Sequence, residues 1–279
     1  MSYRKLFCVR PGTRVKLSEI QSGFTGKHES RHSARAQVKR DDKRLCDLQY
    51  LLYANHQRSV LVVLQGMDAS GKDGTVRHVF DGLNPESARA YSFKEPSREE
   101  LDHDFLWRVH QRVPGKGEFV IFNRSQYEDV LVVRVHQLVP KSVWSKRYET
   151  INEFERNLSL AGTTILKFFL HISEKEQLRR FKKRLDDPTR QWKISDADYS
   201  ERELFKDYTK AYEEVLEKTS TSYAPWFVIP AKHKWFRNLA VSKIVVETLE
   251  SFGMKFPPPS VDLDRIRAEF HSAQDAEKN

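Results

Sequence analysis

Apolar positions along the chain follow two rhythms. Short runs that are apolar on both faces, SVLVVLQ (59–65), EFVIFN (118–123), TTILKFFLHIS (163–173) and WFVIPA (226–231), alternate with stretches whose apolar residues recur at three- and four-residue spacing. Runs of the first kind suit strands buried on both faces of a parallel sheet. Stretches of the second kind suit amphipathic helices. ARAYSF (88–93) reads as one more strand, and helices are predicted over 38–56, 72–83, 98–113, 142–162, 173–187, 201–220 and 236–253. Ser173 and Glu176 stand at capping-box spacing at the start of their helix, while Gly162 and Gly253 stop theirs. Regular strand–helix alternation predicts an α/β fold, with a five-stranded parallel sheet between two helical layers. The expected organisation is one domain over 38–256 with a lid at about 174–200, an irregular N-terminal extension over 1–37 and a polar tail over 257–279.

Composition narrows the function classes. The 279 residues include 48 Lys+Arg against 39 Asp+Glu, a net charge of +9, which points to an anionic partner. No apolar run approaches the ~18 residues of a membrane span, so no membrane partner is expected. The start, MSYRKLFCVRPGTRVKL, lacks the apolar segment of a signal peptide. Two cysteines, Cys8 and Cys46, in no CxxC pattern fit a reducing, cytoplasmic setting.

The sharpest motif is GMDASGKD, residues 66–73, which matches GxxxxGK after a predicted strand and at the start of a predicted helix. In a phosphate loop of this kind the backbone N–H groups of Gly66, Ala69, Ser70, Gly71 and Gly74 converge on phosphate oxygens, helped by the helix N-terminus. Lys72 adds a full charge that follows a phosphoryl group in transfer. The residue after Lys72 is Asp73, where such loops usually carry the Ser or Thr that holds a metal. Asp68 is therefore a candidate either to hold the metal or to orient the attacking phosphate, with Asp73 and Thr75 as other candidates; Asp73 alternatively serves as a first-turn acid complementing the helix dipole. The run EFVIFN ends at Asn123, where an acid is usual, so Asn123 is at most a neutral metal ligand. Arg124 can fork onto phosphate oxygens, and Glu128 and Asp129 follow near the acceptor. His136 reads as a structural residue. Residues 179–193 hold seven basic side chains, Arg179, Arg180, Lys182, Lys183, Arg184, Arg190 and Lys193, as expected of a lid closing over phosphates. Only Phe181 and Trp192 lie among them, too few stacking aromatics for a nucleic-acid surface. Arg77, His78, Lys94, Arg98, Arg108 and Arg112 add positive charge around the loop, more than one nucleotide needs and suited to a long polyanion.

The strings GMDASGKDGTVRHVFDGLNP, SFKEPSREELDHDFLWRVHQRVPGKGEFVIFNRSQYEDVLVVRVH, LRRFKKRLDDPTRQWKIS and KWFRNLAVSKIV together resemble the polyphosphate kinase 2 family, over about residues 38–255. The resemblance implies a thymidylate-kinase-like P-loop fold with a helical lid. It also implies reversible, Mg²⁺-dependent phosphoryl transfer (Mn²⁺ being the substitute) between inorganic polyphosphate and a nucleotide. By motif match it assigns phosphate and metal handling to Asp68, Lys72, Arg124, Arg179 and Arg184, with Arg180 and Lys183 as further phosphate ligands. Many members have Asp at the place of Asn123. The string FNRSQYEDVLVVRVH is similar to the branch called class III, which acts on both AMP and ADP, although that branch has His where this chain has Gln126. Adenine nucleotides, with guanine nucleotides as a further option, and a homodimer or homotetramer follow as expectations. The rival readings are a nucleoside monophosphate kinase with ATP as donor, and a nucleic-acid-binding module.

Overall fold

A computed structural model describes residues 2–276. Five strands, β1 (Ser59–Gln65), β2 (Ala88–Ser92), β3 (Phe119–Asn123), β4 (Thr163–His171) and β5 (Trp226–Pro230), form one sheet in the order β2-β3-β1-β4-β5. All four pairings are parallel. Among the described residues seven helices have eight residues or more: α1 (Arg31–Asn55), α2 (Lys72–Val79), α3 (Arg147–Leu160), α4 (Glu174–Leu185), α5 (Phe205–Thr219), α6 (Lys234–Glu250) and α7 (Leu263–Ala276). The strand pleat assigns the layers. Lys167 and Phe169 of β4 face α3 and α5, Lys167 bonding to Glu155 and Phe169 lying 4.5 Å from the Tyr212 ring. The intervening Phe168 points to the other face, as does Phe119, which meets Phe80 at the end of α2. On that face α6 packs against both α1 and α2. Every residue of β1 is buried, because strands stand on both sides of it and helices cover both faces. The expected three-layer α/β architecture is what forms.

Three predicted helices divide differently. The stretch 98–113 forms two single turns, Arg98–Leu101 and Trp107–His110, and between them the Asp104 carboxylate accepts from the Leu106 N–H (2.9 Å) in a local turn that interrupts the helix. The stretch 142–162 yields a separate turn at Lys141–Trp144 before α3, and 201–220 splits at Leu204 into Ala197–Glu203 and α5. The N-terminal segment, expected to be irregular, is built into the body. It opens with a turn of helix at Tyr3–Phe7 and buries Phe7, Val9, Val15 and Leu17. The Val9 N–H donates to Trp226 O (2.9 Å) and Cys8 bridges to Phe227, so this segment covers the edge strand β5, which would otherwise present unpaired backbone groups. In the polar tail, α7 forms and is exposed along its described length. Residues 1 and 277–279 of these two terminal segments lie outside the described residues. No helix among the described residues is long and apolar enough to cross a membrane.

Candidate active site

The turn from β1 into α2 places the phosphate loop at the carboxyl edge of the sheet, where ligands of open α/β sheets bind. Its two tightest positions require glycine. Gly66 has φ +150°, and a Cβ there would lie 2.8 Å from Leu170 O; Gly71 has φ +105°, and a Cβ would lie 1.9 Å from Arg237 Nη1. Lys72 is buried and folds back on the loop, its Nζ donating to Gly66 O (2.7 Å) and Met67 O (3.4 Å). Burial pulls its ammonium below the usual lysine range, and Arg124 pushes the same way; Asp68, Glu128 and Asp73 oppose them. An incoming phosphate would supply the counter-charge this lysine lacks.

Beside the loop, the end of β3 turns sharply. Arg124 adopts a left-handed conformation (φ +64°), at a cost of roughly 1–2 kcal/mol for a residue with a Cβ. The turn aims its guanidinium at two acids: Nη2 donates to Asp68 (3.1 Å) and Nη1 to Glu128 (3.3 Å). Burial works against the Arg124 charge, but Glu128 and Asp68 more than offset it and keep the group protonated. Gln65 braces the cluster, donating to Glu128 Oε1 (3.0 Å) and Ser125 Oγ (3.2 Å). Tyr212 accepts from the Gly66 N–H (3.2 Å) and donates to Gln65 Oε1 (3.3 Å). Asn123 and Asp73 are also brought together, the amide donating to the carboxylate at 2.8 Å, with Lys193 at 3.8 Å. Burial alone would raise the Asp73 carboxyl; the Asn123 hydrogen bond with Lys193, Lys72 and Arg124 holds it below the usual range. A cleft opens here. Gly66–Asp68, Lys72, Arg124 and Glu128 form its floor, and Leu131, Val132, Phe205, Tyr208 and Tyr212 an apolar and aromatic wall.

The lid arginines take different places from one another. Arg180 is buried behind the loop and donates to four carbonyls, Ala69 O (2.8 Å), Ser70 O (2.7 Å), Ala231 O (2.5 Å) and Lys232 O (3.2 Å), and to Glu176. It clamps the loop's backbone rather than presenting an open face. Arg179 points outward, 60% exposed and paired with Glu176. Arg184 lies away from the loop, 3.5 Å from Asp198 and over the Phe181 ring. Lys183 is exposed and has no acid within ion-pair distance among the described residues. The segment beyond α4 is fastened over the cleft by Glu201, which meets His136 Nε2 (2.9 Å) and accepts from Tyr208 (3.0 Å). Sequence reasoning missed Gln65, Gln177, Tyr208, Tyr212 and Arg237. Arg237 is the most consequential: it is 2% exposed, binds Asn238 Oδ1 (2.7 Å) and underlies Gly71 and Gly74. Burial, then Arg180, lowers its guanidinium to about 9. A lone arginine in the apolar run of α6 was the available signal.

Comparison with known proteins decides the family. Residues 28–257 match the family described as polyphosphate kinase 2. The chain belongs to that family. It is 53% identical over 266 residues (94% of this chain, 98% of the relative) to a protein of Meiothermus ruber named AMP/ADP-polyphosphate phosphotransferase. It is 44% identical over 265 residues (91% and 92%) to the ADP-polyphosphate phosphotransferase of Rhodopseudomonas palustris. Among solved structures, polyphosphate kinase 2 from Arthrobacter aurescens superposes with a TM-score of 0.93 at 38% identity, over 98% of this chain and 97% of that one. As a polyphosphate kinase 2 member the chain is a phosphotransferase with a P-loop kinase fold.

Proposed function

We propose that this chain moves a phosphoryl group reversibly between inorganic polyphosphate and AMP or ADP, giving ADP or ATP. The observation that carries the donor assignment is a knot of cations on the side of the loop away from the Arg124 cleft. Lys234 is held below the usual lysine range by burial and then by Arg180, Arg190, Arg237 and Lys183 together. Lys183 and Lys234 have no acid within ion-pair distance among the described residues. Lys183 and Lys234 are exposed, so a polyanion lying across them would relieve the repulsion to which the buried Arg180 and Arg237 add, and a nucleotide donor needs few such cations. The acceptor belongs in the cleft, with its base toward the Leu131, Val132 and Phe205 wall and its terminal phosphate toward Arg124. An ionised phosphate oxygen is already a nucleophile, so no general base is needed. Lys72 follows the transferring group, Arg124 orients the acceptor, and the lid excludes water.

Mg²⁺ fits the residues present. Asp68 is a part-exposed carboxylate at the mouth of the loop, Asn123 offers a neutral oxygen nearby, and Mg²⁺ is usually held by one or two carboxylates plus substrate phosphates. When bound it would neutralise charge developing on the phosphate oxygens; Mn²⁺ would serve the same donor set. Guanine nucleotides fit the same apolar wall. The two unpaired cysteines support a cytoplasmic setting, and the exposed stripe Leu263, Ile266 and Phe270 on α7 supports self-association as a homodimer or homotetramer. Residues 38–256 act as one kinase body with a lid at 174–200. The test is a coupled assay with polyphosphate and AMP, ADP, GMP or GDP and no added ATP. Formation of ADP and ATP is expected, and absence of both overturns the reading.

A further inference from the structure

A complete set of charges is buried beneath the cleft, away from the phosphate loop. Lys167 interrupts the otherwise apolar β4, and neither it nor Glu155 of α3 is exposed. Lys167 Nζ donates to Glu155 Oε2 (2.5 Å), Tyr127 OH (2.8 Å) and Thr219 O (2.6 Å). Glu155 Oε1 accepts from Tyr127 OH (2.7 Å) and Gln126 Nε2 (3.1 Å). The Tyr127 and Trp226 rings flank the ammonium, each 5.3 Å away. An ion pair this dry adds little stability over apolar side chains of equal volume, so its contribution lies in where its hydrogen bonds lead. They lead to the elements that carry the cleft. Gln126 and Tyr127 belong to the turn that bears Arg124 and Glu128, and Thr219 closes α5, which bears Tyr208 and Tyr212. Arg124 holds a left-handed backbone that must be kept in place by its surroundings.

We propose that the Lys167–Glu155 pair is a positioning device for phosphoryl transfer, holding the Arg124–Glu128 turn in register with the phosphate loop through Gln126 and Tyr127. This rests on the proposed function for the identity of the acceptor, but its test does not depend on the donor. Neither residue touches substrate. The pair acts by fixing where Arg124 meets the acceptor phosphate, and a displacement of about 1 Å at such a contact is enough to cost about 10²-fold in rate.

Two double variants separate positioning from packing. Glu155→Gln/Lys167→Met leaves no unpaired charge and keeps the Oε1 acceptor for Gln126 and Tyr127. Glu155→Leu/Lys167→Met removes that acceptor. We expect the second to lose about 10²-fold in kcat with polyphosphate KM close to wild type and a lowered denaturation midpoint, since buried Gln126 Nε2 and Tyr127 OH lose their Glu155 acceptor, and the first to recover most of the kcat loss. AMP affinity by calorimetry, read without donor, is expected to fall in the Leu/Met variant toward that of Arg124→Ala. Wild-type kcat and AMP affinity in the Leu/Met variant overturn the proposal, as does a Gln/Met variant equally impaired. If the Leu/Met variant fails to fold, Gln126→Met carries the test, since it removes one link to Glu155 and leaves the ion pair intact. A measurable drop in kcat and AMP affinity at unchanged midpoint supports positioning, and wild-type values overturn it. A wild-type enzyme that binds AMP but does not use polyphosphate would overturn the donor assignment alone.

Discussion

Replacing Gly71 by Ala adds one methyl group, and the structure sets its cost. The new Cβ would lie 1.9 Å from Arg237 Nη1 and 3.1 Å from its Cζ. Arg237 has no room to withdraw easily, being 2% exposed and held to Asn238 Oδ1 by Nε (3.0 Å) and Nη2 (2.7 Å). Two costs add. A residue with a Cβ at φ +105° stores roughly 1–3 kcal/mol of strain. Displacing a buried, charge-assisted hydrogen-bonding group costs roughly 1–3 kcal/mol more. The total is about 2–6 kcal/mol. Gly12→Ala is the control, because Gly12 also has positive φ (+70°) but nothing lies within 4 Å of its Cβ; it should show strain alone, roughly 1–2 kcal/mol. Urea denaturation gives both values from the midpoint at constant slope. In the double variant Gly71→Ala/Arg237→Met the clash is absent, so the losses should be less than additive by about 1–3 kcal/mol. A Gly71→Ala protein no less stable than Gly12→Ala, or a strictly additive double variant, would refute the argument that Arg237 underpins the loop.

Other consequences follow from the same geometry. Lys72→Met should lower kcat by about 10³-fold while leaving the denaturation midpoint unchanged or raised, since it removes a buried ammonium whose charge burial disfavours; steady-state kinetics and urea melts check both. Lys183→Ala/Lys234→Ala should raise the polyphosphate KM about tenfold and flatten its salt dependence, with the AMP KM unchanged, because these cations carry the donor side only. Asp129 gives a pH signature. Burial raises its carboxyl from 3.8 to about 6 despite Arg147 at 2.9 Å. A raised carboxyl pKa means that the folded state holds the proton more tightly than the unfolded chain. Wild-type stability should therefore fall relative to Asp129→Asn as pH rises from about 4 to 6, and the gap should stay level above that. A shift of 2.2, from 3.8 to about 6, corresponds to about 3 kcal/mol; denaturation midpoints of both proteins at pH 4, 5, 6 and 8 measure it.

The parts legible in the sequence are those where one segment is read by its own pattern. β1 is apolar on both faces because it lies in the middle of a covered sheet, and GMDASGKD announces its loop because the glycines and lysine are contiguous. The helix breaks at Asp104 and Leu204 were hidden because apolar spacing continues across them while a local cap or turn interrupts the backbone. Phe7, Val9, Val15 and Leu17 follow no helical or strand period, so their burial against β5 is set by tertiary contact alone. The site divides along the same line. Asp68, Lys72, Arg124 and Glu128 come from two short motifs and line one cleft. Arg180 was legible as a charge but not as a clamp, and Arg237 was missed, because their partners are backbone carbonyls and glycines about 50 to more than 160 residues away in the chain. Lys167 carries no signal of its own in the apolar run of β4, and only the fold shows the glutamate and tyrosine that pair with it.

The central claim is that the donor side of the loop is built for a phosphate chain rather than for ATP. The most direct measurement is kcat/KM for AMP phosphorylation with polyphosphate as donor against ATP as donor, at one Mg²⁺ concentration. Polyphosphate should be preferred by at least tenfold, and the preference should shrink in Lys183→Ala/Lys234→Ala. Equal or better use of ATP, unaffected by that substitution, would contradict it.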